Sequence, residues 1–313
     1  MTALVDILRA RVARGSTAPH DDGASVALAV EGGAMRGVIS AGMVSALEEL
    51  GYAHAFDAVY GSSAGAINAA YMLAGQARLG TRIYFEDINN SHFISLARAL
   101  AGKPIVNLGY LIDEVMERQK PLDISRVLSS QSPLRVLATD IDARRAHSFR
   151  AFADASELVA SLRAGATMPV FAGSPCLYRG ARYLDASLSE PIPVPTAERD
   201  GHTHILAFLT RAAGRRPEAS AFDRYFIAPR LRKLSPDLER WYLARATPYA
   251  ELSQTMDRGT GPLGRAQVVT VRVSDFRISK LERRRHILEE GAKRGYAAVA
   301  RALGLVRNAM VAR

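Results

Sequence analysis

Cysteine is almost absent from this chain. Cys176 is the single one among 313 residues. One thiol rules out an internal disulfide and a thiolate metal cluster, and Cys176 itself reads as a packed apolar residue. Long apolar runs are also missing, so no segment is suited to span a bilayer. The stretch from Met1 to Arg14 has charges scattered through it and no continuous apolar core, unlike a secretory leader. The expectation is therefore a cytoplasmic protein. Internal repeats and low-complexity tracts are not found either. What remains is ordinary globular material, 48% apolar and 23% charged, with enough length to bury a large core.

Charge is unevenly placed. The formal net charge is +10, but residues 1–210 hold 19 Lys and Arg against 21 Asp and Glu, a net of −2. Residues 211–313 hold 22 against 10, a net of +12. A basic surface favours anionic partners such as phospholipid headgroups. Solvated arginine-rich helix faces are the simpler reading of the same numbers. No recognition motif accompanies the charge, so nucleic acid is not expected as a partner.

Two glycine-rich turns carry the chemistry. The first is Glu31–Gly37, E-G-G-A-M-R-G, and the second is Tyr60–Ala66, Y-G-S-S-A-G-A. Each follows a short apolar run (25–30 and 57–60) and precedes a helical pattern (38–50 and 64–75). That is the sequence of a parallel sheet with helical crossovers. The second turn has the form G-x-S-x-G, with Ser63 central between Gly61 and Gly65. A serine on a strand-to-helix turn is how α/β hydrolytic enzymes present a nucleophile. Ser62 is a rival, but the spacing to the two glycines selects Ser63. The first turn can offer backbone N–H groups to a negative charge. We read Gly32, Gly33 and Ala34, joined by Ala64, as donors to an oxyanion. Gly37 closes that turn. Arg36 has two readings, orienting the loop or meeting an anionic substrate, and a plain surface arginine is a third.

A serine hydroxyl needs a base. Of the seven histidines, His202, His204 and His286 follow Ser63 at suitable distance in the chain. His204 opens an apolar strand, His202 sits in a glycine-flanked, solvated turn, and His286 lies in a basic helix. None is in a convincing catalytic loop. Asp185 ends the run Arg182-Tyr183-Leu184 and is followed by the small residues Ala186 and Ser187. By composition alone it could simply cap a turn.

Further elements are expected as strands over 134–139, 147–152, 204–210 and 268–273, and as a hairpin over 178–184 turning at Arg179-Gly180. Helices are expected over 155–164, stopped near Gly165 and Pro169, and over 219–234, 236–245 and 281–305. Residues 80–130 read as mixed helical segments that could cap the site. Composition changes near residue 212, which suggests three parts: a tether over 1–24, the main domain over 25–212, and a basic, mainly helical extension over 213–313. The strand at 268–273 could still return to the main sheet.

Taken jointly, the motifs resemble the patatin-like phospholipase family. The first turn is similar to that family's G-G-G-x-R-G segment, and the elbow to its G-x-S-x-G. Leu162–Pro169 resembles the helix-then-proline stretch before the third motif. Tyr183-Leu184-Asp185-Ala186-Ser187 through Pro191-Ile192-Pro193-Val194 resembles the D-G-[GA] motif and its proline-containing sequel. The likeness covers about residues 25–210. It implies a three-layer α/β/α fold with a mostly parallel sheet. It also implies a Ser–Asp dyad of Ser63 and Asp185 without histidine, and lipid acyl ester hydrolysis through an acyl-serine, needing no metal or cofactor. The implied partner is a phospholipid or other acyl ester; peripheral contact with an anionic membrane is an expectation that rests on the basic C-terminal third alone. An acyltransferase with the same dyad, or a binding module on the same fold, are the alternatives. Two departures stand out. Ala34 replaces the third glycine of the oxyanion turn, and Ala186-Ser187 replaces Gly-Gly or Gly-Ala. Alanine tolerates positive φ poorly, so either position would be strained if it required one.

Overall fold

The structure is a computed structural model that describes residues 3–101, 103–168 and 173–305. Eight strands form one sheet: β1 (Val26–Val30), β2 (Ala58–Ser62), β3 (Leu134–Asp140), β4 (Arg145–Phe149), β5 (Cys176–Tyr178), β6 (Ala181–Asp185), β7 (His204–Leu209) and β8 (Gln267–Arg272). By pairing, the order is β5-β6-β3-β2-β1-β7-β8, with β4 also on β3. The central pairs β3/β2, β2/β1, β1/β7 and β7/β8 are parallel, and β3/β4, β3/β6 and β5/β6 are antiparallel.

The central strands are apolar on both faces, as a parallel sheet covered by helices requires. Along β1, Val26, Leu28 and Val30 enter one core and Ala27 and Ala29 the other. The first core is closed by helices Val38–Glu49, Ala64–Leu73 and Arg285–Ala302, among others. The second lies under helices Val194–Arg199 and Ala246–Asp257. This gives three layers, helix on sheet on helix. A smaller third cluster joins Leu184 and Leu188 to Ile227, Leu231, Leu238 and Tyr242, which seats the helical region 221–244 beside the end of β6.

The register of β3 positions the site. It pairs β4 over 136–140 and β2 over 134–137, so those neighbours must occupy opposite edges. β6 pairs it over 138–140, where β4 already holds one edge, so β6 must share the edge of β2. Ser62 lies opposite Leu137 and Asp185 opposite Ala138. Two strands thus meet head to head along one edge of β3, and both end at the meeting point.

Several boundaries differ from the expectation. The second strand expected near 147–152 is Arg145–Phe149. Helix Ala155–Ala166 passes through Gly165, which acts as a close contact: a Cβ there would fall 2.5 Å from the Leu137 carbonyl. Pro169 lies outside the described residues. The last helix starts at Arg285 and not at 281, because the Glu282 carboxylate takes the backbone N–H groups of Arg283 and Arg284. The segment beyond 213 contributes β8, parallel to β7, and helix Arg285–Ala302, which packs on helix Val38–Glu49. At the other end, helix Ala3–Ala13 is anchored by Arg11. That side chain is fully buried and bonds to Asp22, Asp57 and the carbonyls of Ala24 and Ala55.

Candidate active site

Ser63 caps the helix Ala64–Leu73 with φ 55° and ψ −131°, a left-handed backbone that a serine adopts only under constraint. The constraint is visible in the flanking glycines. A Cβ at Gly61 would lie 2.3 Å from Ala66 Cα, and one at Gly65 would lie 2.3 Å from the Val30 carbonyl. Strand and helix therefore approach too closely for any side chain, and the turn between them is forced outward. Ser63 Oγ donates to Asp185 Oδ2 at 2.6 Å. The other carboxylate oxygen, Oδ1, accepts the Ser187 amide at 2.8 Å. The Asp185 backbone is fixed as well: its N–H donates to the Thr167 carbonyl at 2.8 Å, and Thr139 Oγ1 donates to its carbonyl at 2.9 Å. Asp185 is 4% exposed, so its charge-assisted bonds act with little competing water.

Ser62 is occupied elsewhere. Its hydroxyl is buried and donates to the Glu190 carbonyl at 2.9 Å. Ala186 begins the short 3-10 turn Ala186–Leu188 without positive φ, so this departure from glycine costs no strain. Ala34 differs: it takes φ 51°, after Gly33 at φ 146°. The first turn lies directly on the elbow. A Cβ at Gly32 would meet the Ser62 carbonyl at 2.4 Å and the Ala64 nitrogen at 2.8 Å. Gly37 faces Ala64 and Tyr84, and its carbonyl accepts from Asn68 Nδ2 at 2.9 Å. Tyr84 in turn donates to Asn68 Oδ1 at 3.0 Å. Among the described residues, the amides of Gly33, Ala34 and Ala64 have no acceptor in the protein.

Arg36 is not a surface arginine, because long-range contacts bury it to 8% exposure. Its Nε donates to Thr210 Oγ1 at 3.0 Å, and Thr210 Oγ1 donates to the Gly32 carbonyl at 2.8 Å. Burial, then the charge of Arg211, pulls the guanidinium down to about 10, with Glu31 opposing. It therefore stays cationic at neutral pH. In the sequence Glu31 is only the start of its motif. It is buried and accepts the Thr210 amide at 2.6 Å and the Tyr249 hydroxyl at 3.1 Å. Sequence reasoning missed this support, along with Thr139, Thr210, Arg211, Tyr249 and Lys280. The glutamate preceding the glycines was the one visible signal.

His202 is also not solvated. It is buried between Ser25 Oγ (2.8 Å) and Tyr60 OH (3.0 Å), at the start of β1 and β7, the opposite end of the sheet from Ser63. His204 bonds to Thr203 and His286 is exposed on its helix. Among the described residues, no histidine lines the cavity at Ser63.

That cavity, of about 120 Å³, is lined by Ser63, Asp185 and the first turn. Phe93, Val106, Leu108 and Leu111, from the segment expected as a cap, supply an apolar wall. The arrangement offers a hydroxyl bonded to a buried carboxylate, unpaired amides and an apolar slot.

The patatin-like phospholipase family model matches residues 28–198. The chain belongs to that family. Members are lipid acyl hydrolases in general terms. A curated relative is the uncharacterized protein YjjU of Escherichia coli K12, 26% identical over 188 residues, covering 59% of this chain and 52% of YjjU. The chain thus spans about half the length of that relative. Among solved structures, VipD from Legionella pneumophila aligns at 13% identity and TM-score 0.46, over 90% of this chain and 67% of its own. Human GIVD cytosolic phospholipase A2, in complex with methyl gamma-linolenyl fluorophosphonate, aligns at 13% identity and TM-score 0.47, over 97% and 63%. Among the described residues, no helix is long and apolar enough to cross a membrane.

Proposed function

We propose that this patatin-like protein is a serine lipid acyl hydrolase that works through a Ser63–Asp185 dyad. The observation that carries the reading is the 2.6 Å bond from Ser63 Oγ to a buried, doubly anchored Asp185 beside an apolar cavity. Ser63 Oγ attacks the acyl carbonyl and its proton passes to Asp185 Oδ2. The amides of Gly33, Ala34 and Ala64, set by the turn that Gly32 opens, hold the oxyanion. Collapse breaks the ester C–O bond, and Asp185 returns the proton to the leaving alkoxide. Water then gives a proton to Asp185 and attacks the acyl-serine, which releases the fatty acid and restores Ser63. With an alcohol in place of water the same steps would transfer the acyl group.

The test is hydrolysis of a phospholipid and a short-chain ester by full-length protein. Ser63→Ala removes the activity, and Asp185→Asn lowers kcat by roughly 10²–10⁴-fold. His202→Ala, His204→Ala and His286→Ala retain most of it. A folded histidine variant that is inactive would replace the dyad with a triad.

A further inference from the structure

Lys280 has no partner that explains it. It is half-buried, and among the described residues its ammonium has no hydrogen bond or ion pair on the protein. Its backbone is pinned to the first glycine turn, because its carbonyl accepts the Met35 amide at 3.3 Å. The side chain lines the Ser63 cavity and also a second cavity of about 890 Å³. Arg211 lines both as well. The Nε of Arg211 is buried without a hydrogen bond, and the nearest carboxylate oxygen, on Glu31, stands 3.8 Å away. Arg245 lines the second cavity, and its Nε is likewise buried and unbonded, although its terminal nitrogen bonds Asp223 at 3.0 Å. Arg144 and Arg199 on the same walls are paired with Asp237 and Glu190, and Arg245 and Arg211 have Asp223 and, more loosely, Glu31, which leaves Lys280 as the cation lining both cavities without a carboxylate among the described residues. Buried donors without acceptors are costly unless a ligand supplies one. An unpaired ammonium that lines both cavities, beside Arg211 on both and Arg245 on the second, each with an unbonded Nε, is a place suited to an anion.

Position says which anion. The apolar wall of Phe93, Val106, Leu108 and Leu111 belongs to the Ser63 cavity alone, so the acyl chain has its place there. With the acyl chain on that wall, the second cavity, which shares Lys280 and Arg211 with the first, is left for the alcohol side of the ester. We propose that Lys280, Arg211 and Arg245 form a phosphate subsite on the alcohol side of the scissile ester, so that glycerophospholipids are preferred over neutral glycerides. All three residues lie outside the 28–198 family match, so the subsite belongs to this chain's own C-terminal third. Burial and the neighbouring Arg36, Arg211 and Arg245 pull the Lys280 ammonium down to about 8, with Asp185 opposing, and a bound phosphate would relieve that cost.

The inference rests on the hydrolase reading, and its test separates the two. Full-length wild type, Lys280→Met and Lys280→Arg are compared on a short-chain phosphatidylglycerol and a diacylglycerol of the same chains. The ratio of kcat/KM, phospholipid over glyceride, falls about tenfold or more in Lys280→Met, the size expected for one charge-assisted contact, and recovers largely in Lys280→Arg. A second arm follows the melting temperature with inorganic phosphate, which shows whether free phosphate alone occupies the subsite. Stabilisation by phosphate that is lost in Lys280→Met supports the subsite even if no ester is turned over, a result that would sink only the hydrolase reading. A ratio unchanged in both Lys280→Met and Arg211→Gln, with no Lys280-dependent phosphate effect, overturns the subsite.

Discussion

Ala34 and Ser63 both hold left-handed backbone angles, φ 51° and 55°, on either side of the place proposed for an oxyanion. For Ser63 the angle is what projects the hydroxyl from the turn. For Ala34 it is a cost of about 1–2 kcal/mol, set against about 0.4–1 kcal/mol of chain entropy that a glycine would add to the unfolded state. Ala34→Gly should therefore raise stability by about 0.5–1 kcal/mol while hydrolysis persists, read by chemical denaturation; a clear loss of stability would show that the angle is not strained. Lys280 makes a second residue-level prediction. Its folded pKa of about 8 lies below the ordinary lysine value of 10.5. Below about 8 both states hold the proton and the burial penalty is fully present. Between about 8 and 10.5 the unfolded state holds more protons, so stability rises with pH. Lys280→Met should thus melt higher than wild type at pH 7, with the gain shrinking toward pH 10.5. A gain that stays flat with pH would mean that the side chain is not titrating as described.

At the scale of elements, helix Arg285–Ala302 crosses helix Val38–Glu49 at a distance only glycine permits. A Cβ at Gly295 would fall 2.1 Å from the Ile39 carbonyl, and one at Gly42 would fall 2.0 Å from the Ala292 carbonyl. Gly295→Ala gains up to about 1 kcal/mol of helix propensity but overpacks the crossing by about 1–3 kcal/mol, so the urea midpoint should drop; an unchanged midpoint would show that the helices can part freely. Elements were also where the sequence was most legible. The strand-turn-helix units around Gly32 and Ser63, the Arg179-Gly180 hairpin and the strand at 268–273 could be read from local patterns, while the return of that strand to β7 was left open. The head-to-head meeting of β2 and β6 on β3 could not, because it depends on pairings between residues far apart in the chain. Arg36, Arg211 and Lys280 were obscure for the same reason: an arginine or lysine in a loop carries no periodicity, and only the fold shows that Arg36 is buried and the other two half-buried beside it. His202 was misread because its glycine-flanked turn hid the contacts with Tyr60 and Ser25.

Across the whole molecule, the basic C-terminal third holds two surfaces of different kind. On the last helix and its approach, Arg284, Arg285 and Arg294 are paired with Glu282, Glu289 and Glu290. In the helical stretch whose Asp223 bonds Tyr242 and Arg245 of the second cavity's wall, the aromatics Phe222, Tyr225 and Phe226 are exposed beside Arg224. Docking on anionic lipid should then draw more on the second group. Vesicle sedimentation at low salt should weaken more with Tyr225→Ser/Phe226→Ser than with Arg285→Gln/Arg294→Gln, and it should fall for wild type as salt rises. Binding indifferent to lipid charge and salt would return the basic excess to plain solvation. The claim on which the rest depends is that Ser63 is the nucleophile, and covalent labelling tests it most directly. Full-length protein is treated with a fluorophosphonate, digested, and the modified residue located by mass spectrometry. One phosphonyl adduct on Ser63 is expected, absent in Ser63→Ala and retained in Ser62→Ala. An adduct on Ser62, or labelling that survives Ser63→Ala, would contradict it.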